Sequence, residues 1–98
     1  MKIEKIIECF NRNGINSIFE DENSFLINDS NVLLDGDLMH YGESDLVSVR
    51  VNGEIPELYL NKLKLLNEDI SKINATLIIY DQELNFPLPF GDYIKNDK

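Results

Sequence analysis

Apolar positions in the first thirteen residues fall at Ile3, Ile6, Ile7 and Phe10, the i, i+3, i+4, i+7 spacing that sets one stripe of a helix against a core. The spacing predicts a helix over 1–13. Gly14 ends it, because glycine just past the last periodic residue takes the left-handed cap conformation at little cost. From Ile15 to Asn52 the period shortens, and brief apolar runs alternate with turn residues, as in an antiparallel β-meander of four or five strands. Within it Asp35-Gly36 is the sharpest local signal, since a type I′ turn needs positive φ at both central residues. A two-residue loop there would oppose Leu33 to Leu38 and Val32 to Met39. Val32, Leu34, Met39 and Tyr41 would then share one side of the sheet, and Leu33, Leu38 and His40 the other. Asn28-Asp29-Ser30-Asn31 and Gly42-Glu43-Ser44 read as further turns. Val47, Val49 and Val51, alternating with Ser48, Arg50 and Asn52, read as a half-buried strand.

Beyond Asn52-Gly53 the helical period returns. Tyr59, Leu63, Leu66, Ile70 and Ile73 recur at intervals of four and three, with Pro56 and Glu57 suited to a first turn; this predicts a second, longer helix over 56–73. Ala75 to Tyr80 is a nearly continuous apolar run with β-branched members, the signature of a strand covered on both faces and lying inside the sheet. Asp81-Gln82-Glu83 reads as a turn, with a brief pairing at Leu84 to Phe86. Pro87 and Pro89 then argue against a regular strand, so residues 84–98 are expected as an extended arm across apolar surface and a frayed tail.

The expected architecture is α+β. A mainly antiparallel sheet of about five to six strands carries an N-terminal helix and a longer second helix, in the order α-β(4-5)-α-β, as one domain over 1–98. The 98 residues, 43% hydrophobic and 28% charged, suit one core without staples. The single Cys9 permits no disulfide within the chain. No apolar run has the length of a membrane span or the pattern of a signal peptide, and the expected location is the cytoplasm.

Charge changes the picture more than composition does. Residues 13–55 hold nine acids (Glu20, Asp21, Glu22, Asp29, Asp35, Asp37, Glu43, Asp45, Glu54) against Arg50 alone, a net of −8 within a chain of −9. Such a surface repels nucleic acid and anionic membranes and attracts basic partners. Turn chemistry accounts for Asp29 and Asp35. It leaves Glu20, Asp21, Glu22, Asp37, Glu43, Asp45 and Glu54 to be explained.

Catalytic signatures are missing: no phosphate loop, dinucleotide fingerprint or nucleophile elbow occurs, and the chain is not expected to be an enzyme. A Cys9 and His40 dyad is set aside, because Cys9 flanks the apolar stripe of the first helix, where a thiol serves packing. Asp35, Asp37, His40, Glu43 and Asp45 gather potential metal ligands in eleven residues. The two aspartates bracket Gly36, however, and the spacing departs from a calcium loop, so no metal or cofactor is expected. Arg50 is read as pairing with a cross-strand carboxylate, and Leu33, Leu38, His40 and Leu46 as an apolar patch on the second sheet face, under the C-terminal arm or open to another chain.

These readings rank two functions. First comes a small acidic stoichiometric binding protein that occludes the basic, nucleic-acid-binding surface of another protein. A phage-encoded inhibitor of host defence, of anti-CRISPR or anti-restriction type, or an immunity protein or antitoxin for a nuclease would have this character. The expected contact residues are Glu20, Asp21, Glu22, Asp35, Asp37, Glu43 and Asp45, with Leu33, Leu38 and His40, on a monomer or small homodimer. Second comes an acidic chaperone or adaptor, as a homodimer, that binds an extended peptide through the Leu33 and Leu38 patch or an open sheet edge.

Overall fold

A computed structural model describes residues 2–28, 32–81 and 86–96, with Tyr41, Phe86 and Asn96 described by their backbone only. The predicted turns at Asn28 to Asn31 and at Asp81 to Glu83, and the pairing at Leu84 and Asn85, fall wholly or partly outside those residues. The elements run α1 (Lys2–Arg12), β1 (Ser17–Asp21), β2 (Ser24–Ile27), β3 (Leu33–Tyr41), β4 (Ser44–Val51), α2 (Glu57–Lys72), β5 (Ala75–Asp81), β6 (Phe86–Pro89) and α3 (Phe90–Asn96). The six strands form one sheet in sequence order. All neighbours are antiparallel except β4 and β5, which α2 links as a crossover. The fold is α+β, as the periodicities predict.

Helix α1 ends as its sequence requires. Gly14, at φ +81°, lets its own N–H reach the Asn11 carbonyl at 3.1 Å while the N–H of Ile15 reaches Phe10 at 2.9 Å. That pair of bonds is a Schellman motif, and it carries Ile15, fully buried, onto the end of the helix. Helix α2 docks beside α1 through Leu63, Leu66 and Ile70, all at zero exposure. At its C-terminal end Asp69 accepts from Asn13 Nδ2 at 2.8 Å and pairs with Arg12 at 3.5 Å.

One core lies between the helices and the sheet. Ile3, Ile6 and Phe10 meet Phe25, Ile27, Leu33, Leu38, Val47, Val49, Val51, Leu77 and Ile79 there, and Phe10 stands edge-on to Phe25 at 4.8 Å between ring centroids. Leu33 and Leu38 belong to this core at 0% and 4% exposure, which corrects their assignment to an apolar patch on the second face.

Two further expectations fail. Asp35-Gly36 is no turn. Both residues lie inside β3, where Gly36 pairs with Phe25 on one side and Val49 on the other. The reason is steric, since a Cβ on Gly36 would stand 2.7 and 2.8 Å from Cε2 and Cε1 of Phe25, so glycine is there to let that ring lie across the strand. The C-terminal arm is likewise a strand followed by a helix. Pro87 and Pro89 pair with Tyr80 and Ile78 on the outermost strand, where a residue without N–H can turn its nitrogen away from the ladder. Residues 90–96 then form α3, which buries Phe90 and Tyr93 at 1% and 7% exposure in the common core.

Candidate partner-binding surface

All three helices contribute to the single core on one face of the sheet; the other face exposes apolar side chains along β1 to β3, whereas Ile78 on β5 is buried at 8% exposure. Pairing registers place the side chains of this outer face in rows. Ile18, Leu26, Asp35, Arg50, Tyr80 and Pro87 form one row, and Ser24, Asp37, Ser48, Ile78 and Pro89 the next. Met39, Leu46 and Thr76 form a third. A bulge between Leu33 and Asp35 makes this arrangement, because it turns Asp35 outward while Leu33 stays inward. Ile18, Leu26 and Met39 are 45%, 43% and 46% exposed, a large apolar exposure for three residues of one face.

The outer face is also acidic. Asp35 is held by Arg50 in a two-point pair, Nε donating to Oδ1 at 3.0 Å and Nη2 to Oδ2 at 2.6 Å, the cross-strand pairing expected of Arg50. Two residues along β3, Asp37 stands outward between Ser24 and Ser48. Desolvation by the surrounding strands, followed by the neighbouring charge of Asp35, raises its carboxyl above the ordinary aspartate range. Glu20 accepts a 2.8 Å bond from Ser24 Oγ. Asp21 accepts the N–H of Asn23 at 2.8 Å, which lowers its pKa.

The remaining acids sit elsewhere. Glu22 is in the β1–β2 turn and Glu43 in the β3–β4 turn, at the same end of the sheet. Asp45 turns to the helix side, where Lys2 Nζ lies 2.7 Å from Oδ2 and His40 Nδ1 contacts Oδ1. Lys2 first, and then His40, lower its pKa. Glu22, Asn23, Leu38 and His40 line a groove there with Lys2 and Ile3. The seven predicted acids are therefore divided: Glu20, Asp35 and Asp37 border or occupy the outer face, Asp21, Glu22 and Glu43 tip one end, and Asp45 with His40 lies behind the sheet. Ile18, Leu26 and Met39 were not foreseen as contact residues. The adjacency of Ile18 and Leu26 depends on a pairing register that periodicity alone does not supply.

Charge is segregated between the layers. The three helices carry seven Lys and Arg against six Asp and Glu, whereas the strands carry Arg50 alone against six acids. Elsewhere, Cys9 is buried and receives Arg12 Nη2 at 3.4 Å, and burial raises its pKa. Its neighbours differ from those of His40, and no dyad forms. Among the described residues no three His, Cys, Asp or Glu side chains are grouped as metal ligands would be, and no helix is long and apolar enough to cross a membrane. Compared with protein-family models, curated proteins and solved structures, the chain matches none of them.

Proposed function

We propose that this protein is a stoichiometric binder that lays the outer face of its sheet on a basic, nucleic-acid-binding surface of another protein, such as a nuclease, and inhibits it by occlusion. The observation that carries this reading is the exposed β1–β3 part of the outer face, where Asp35 and Asp37 stand among Ile18, Leu26 and Met39, with half-buried Leu46 beside them. An acidic sheet layer on a nearly neutral helix layer orients the molecule as it approaches a basic partner, which raises the association rate. The exposed aliphatic side chains then lose water on contact and set the lifetime of the complex. Face-to-face association of two copies would oppose like charges, so the proposed working unit is a monomer.

The peptide-binding alternative loses its patch, since Leu33 and Leu38 are buried. Its edges are limited as well. At β1 the amide of Asn11 takes the N–H of Ser17 at 2.7 Å and donates to its carbonyl at 3.3 Å, occupying the first position an added strand would use. At β6 two of four residues are proline. The test is affinity capture from the native host with immobilised wild type and with the double variant Leu26→Ser, Met39→Ser, each eluted by salt. Wild type should retain a basic protein, block its nucleic-acid binding, and lose both effects in the variant. Identical capture and inhibition by both would remove the outer face as the binding surface.

A further inference from the structure

Building on the outer face as the docking surface, we infer that Asp37 is its anchor and takes one arginine or lysine side chain of the partner protein, flanked in that protein by apolar residues. Two carboxylates project from the middle of this face, and they differ in what they have left to give. Both oxygens of Asp35 are engaged by Arg50, so that charge is spent within the chain. Asp37 has no ion pair among the described residues, and Arg50 reaches it only at longer range than it reaches Asp35.

The surroundings of Asp37 favour a side chain from outside. Its direct cross-strand neighbours, Ser24 and Ser48, are small and uncharged, so the carboxylate stands in a low part of the surface. Around that part stand exposed Leu26 and Met39, diagonal and successive neighbours on the same face, with half-buried Leu46 and buried Ile78 beyond them and the Asp35–Arg50 pair on the remaining side. Apolar side chains flanking a charged group let a partner's contacts exclude water and strengthen the ion pair formed there. Asp35 and Glu20 repel the ionised Asp37, and an incoming cation relieves that repulsion as well as its partial desolvation.

The occupant follows from charge and shape together. Phosphates and anionic lipid headgroups are repelled by Asp35, Asp37 and Glu20. A bare cation would leave Ile18, Leu26 and Met39 without a role. A guanidinium or ammonium on an aliphatic stem, carried between apolar residues of a protein surface, meets both demands, and a guanidinium adds a planar fork for the two oxygens.

The probes are two peptides, acetyl-Leu-Arg-Leu-amide and acetyl-Leu-Gln-Leu-amide, titrated into 15N-labelled wild type, Asp37→Asn and Leu26→Ser/Met39→Ser. The free-state spectra of the variants report whether they are folded. Expected are shifts centred on Ser24, Asp37 and Ser48 with the arginine peptide, an affinity lower by about tenfold or more for Asp37→Asn, and a similar loss for the glutamine peptide on wild type. Equal affinity of Asp37→Asn and wild type at this face would overturn the anchor yet leave the docking face standing. Shifts centred on the Glu22 and Glu43 turns, or no shift with either peptide, would also overturn it. The docking face itself fails on the separate result that Leu26→Ser/Met39→Ser captures and inhibits as wild type does.

Discussion

Gly36 shows how one residue can carry a sequence signal and mean something else. Asp-Gly invites a turn because both residues tolerate positive φ, yet among the described glycines positive φ occurs at Gly14, Gly42 and Gly53 and not at Gly36. What Gly36 supplies is room for Phe25, whose ring also meets Phe10. Gly36→Ala should therefore destabilise the protein by about 1 to 3 kcal/mol, as overfilling a tight site does. Chemical denaturation measures it, and Phe25→Leu in the same chain should recover part of the loss. An alanine variant as stable as wild type would remove the steric account. The two aspartates Asp37 and Asp45 predict opposite responses to pH. The native carboxyl of Asp37 titrates above the ordinary value of 3.8, so its contribution is fully present below that value and is lost as pH rises through the native pKa. Asp37→Asn should raise the melting temperature at pH 7, with the gain vanishing at acid pH. Asp45 is shifted down by Lys2 and His40, so its contribution is present above 3.8 and is lost as pH falls through the native pKa. Asp45→Asn should lower the melting temperature at pH 7 and matter little in strong acid. Calorimetry of both variants across pH checks the two signs, and a shared sign would contradict the assignment of the two carboxylates to different environments.

At the scale of elements, a single residue in one turn sets which side of β3 faces the core. A three-residue loop over Gly42-Glu43-Ser44 would set Met39 opposite Val47 and send Leu38 outward. In the structure the loop is Gly42-Glu43 alone, with Tyr41 opposite Ser44 and Leu38 opposite Val47. Gly42 takes φ +63° at the first central position, as a type II′ turn requires. Because the side-chain period is two, that one-residue difference moves every side chain of β3 to the other face relative to β4. The grouping of Leu33, Leu38 and His40 on one side survived, since an imagined two-residue hairpin and a real one-residue bulge have the same parity. The long periodic stretches were legible because each samples its period several times: α1, α2 and β5 begin and end within a residue or so of expectation. Seven-residue α3 offers two buried positions, Phe90 and Tyr93, too few to set a period, and the prolines before it masked a strand that an edge position permits. If α3 is part of the core, Phe90→Ala should cost about 3 to 5 kcal/mol in chemical denaturation, and Leu66→Ala or Ile70→Ala in α2 about 2 to 5 kcal/mol each. Losses below about 1 kcal/mol would mean that the corresponding helix is loosely attached.

At the scale of the whole molecule, the divided charge sets two terms against each other. The chain carries −9 within a radius of gyration of 12.1 Å, so many like charges on the sheet layer lie within roughly one Debye length of about 10 Å at 0.1 M salt. Opposing this repulsion are ion pairs such as Lys2 with Asp45, Arg12 with Asp69 and Arg50 with Asp35. Each is partly exposed, so solvent screening keeps its contribution small. Salt weakens both terms. The pairs are short-range and the Arg50 fork is held by two hydrogen bonds, so they survive screening better than the diffuse repulsion among Glu20, Asp21, Glu22, Asp35 and Asp37. The melting temperature should therefore rise as sodium chloride is added from about 0.02 M to about 0.5 M, over which the Debye length falls severalfold. Arg50→Gln, which releases Asp35 beside Asp37 and adds to the net negative charge, should lower the melting temperature in dilute salt and steepen that rise. Differential scanning calorimetry of the two proteins over the salt series decides it. A wild-type melting temperature that falls with salt would show that the ion pairs outweigh the repulsion, and that the acidic layer is held at little cost to the fold.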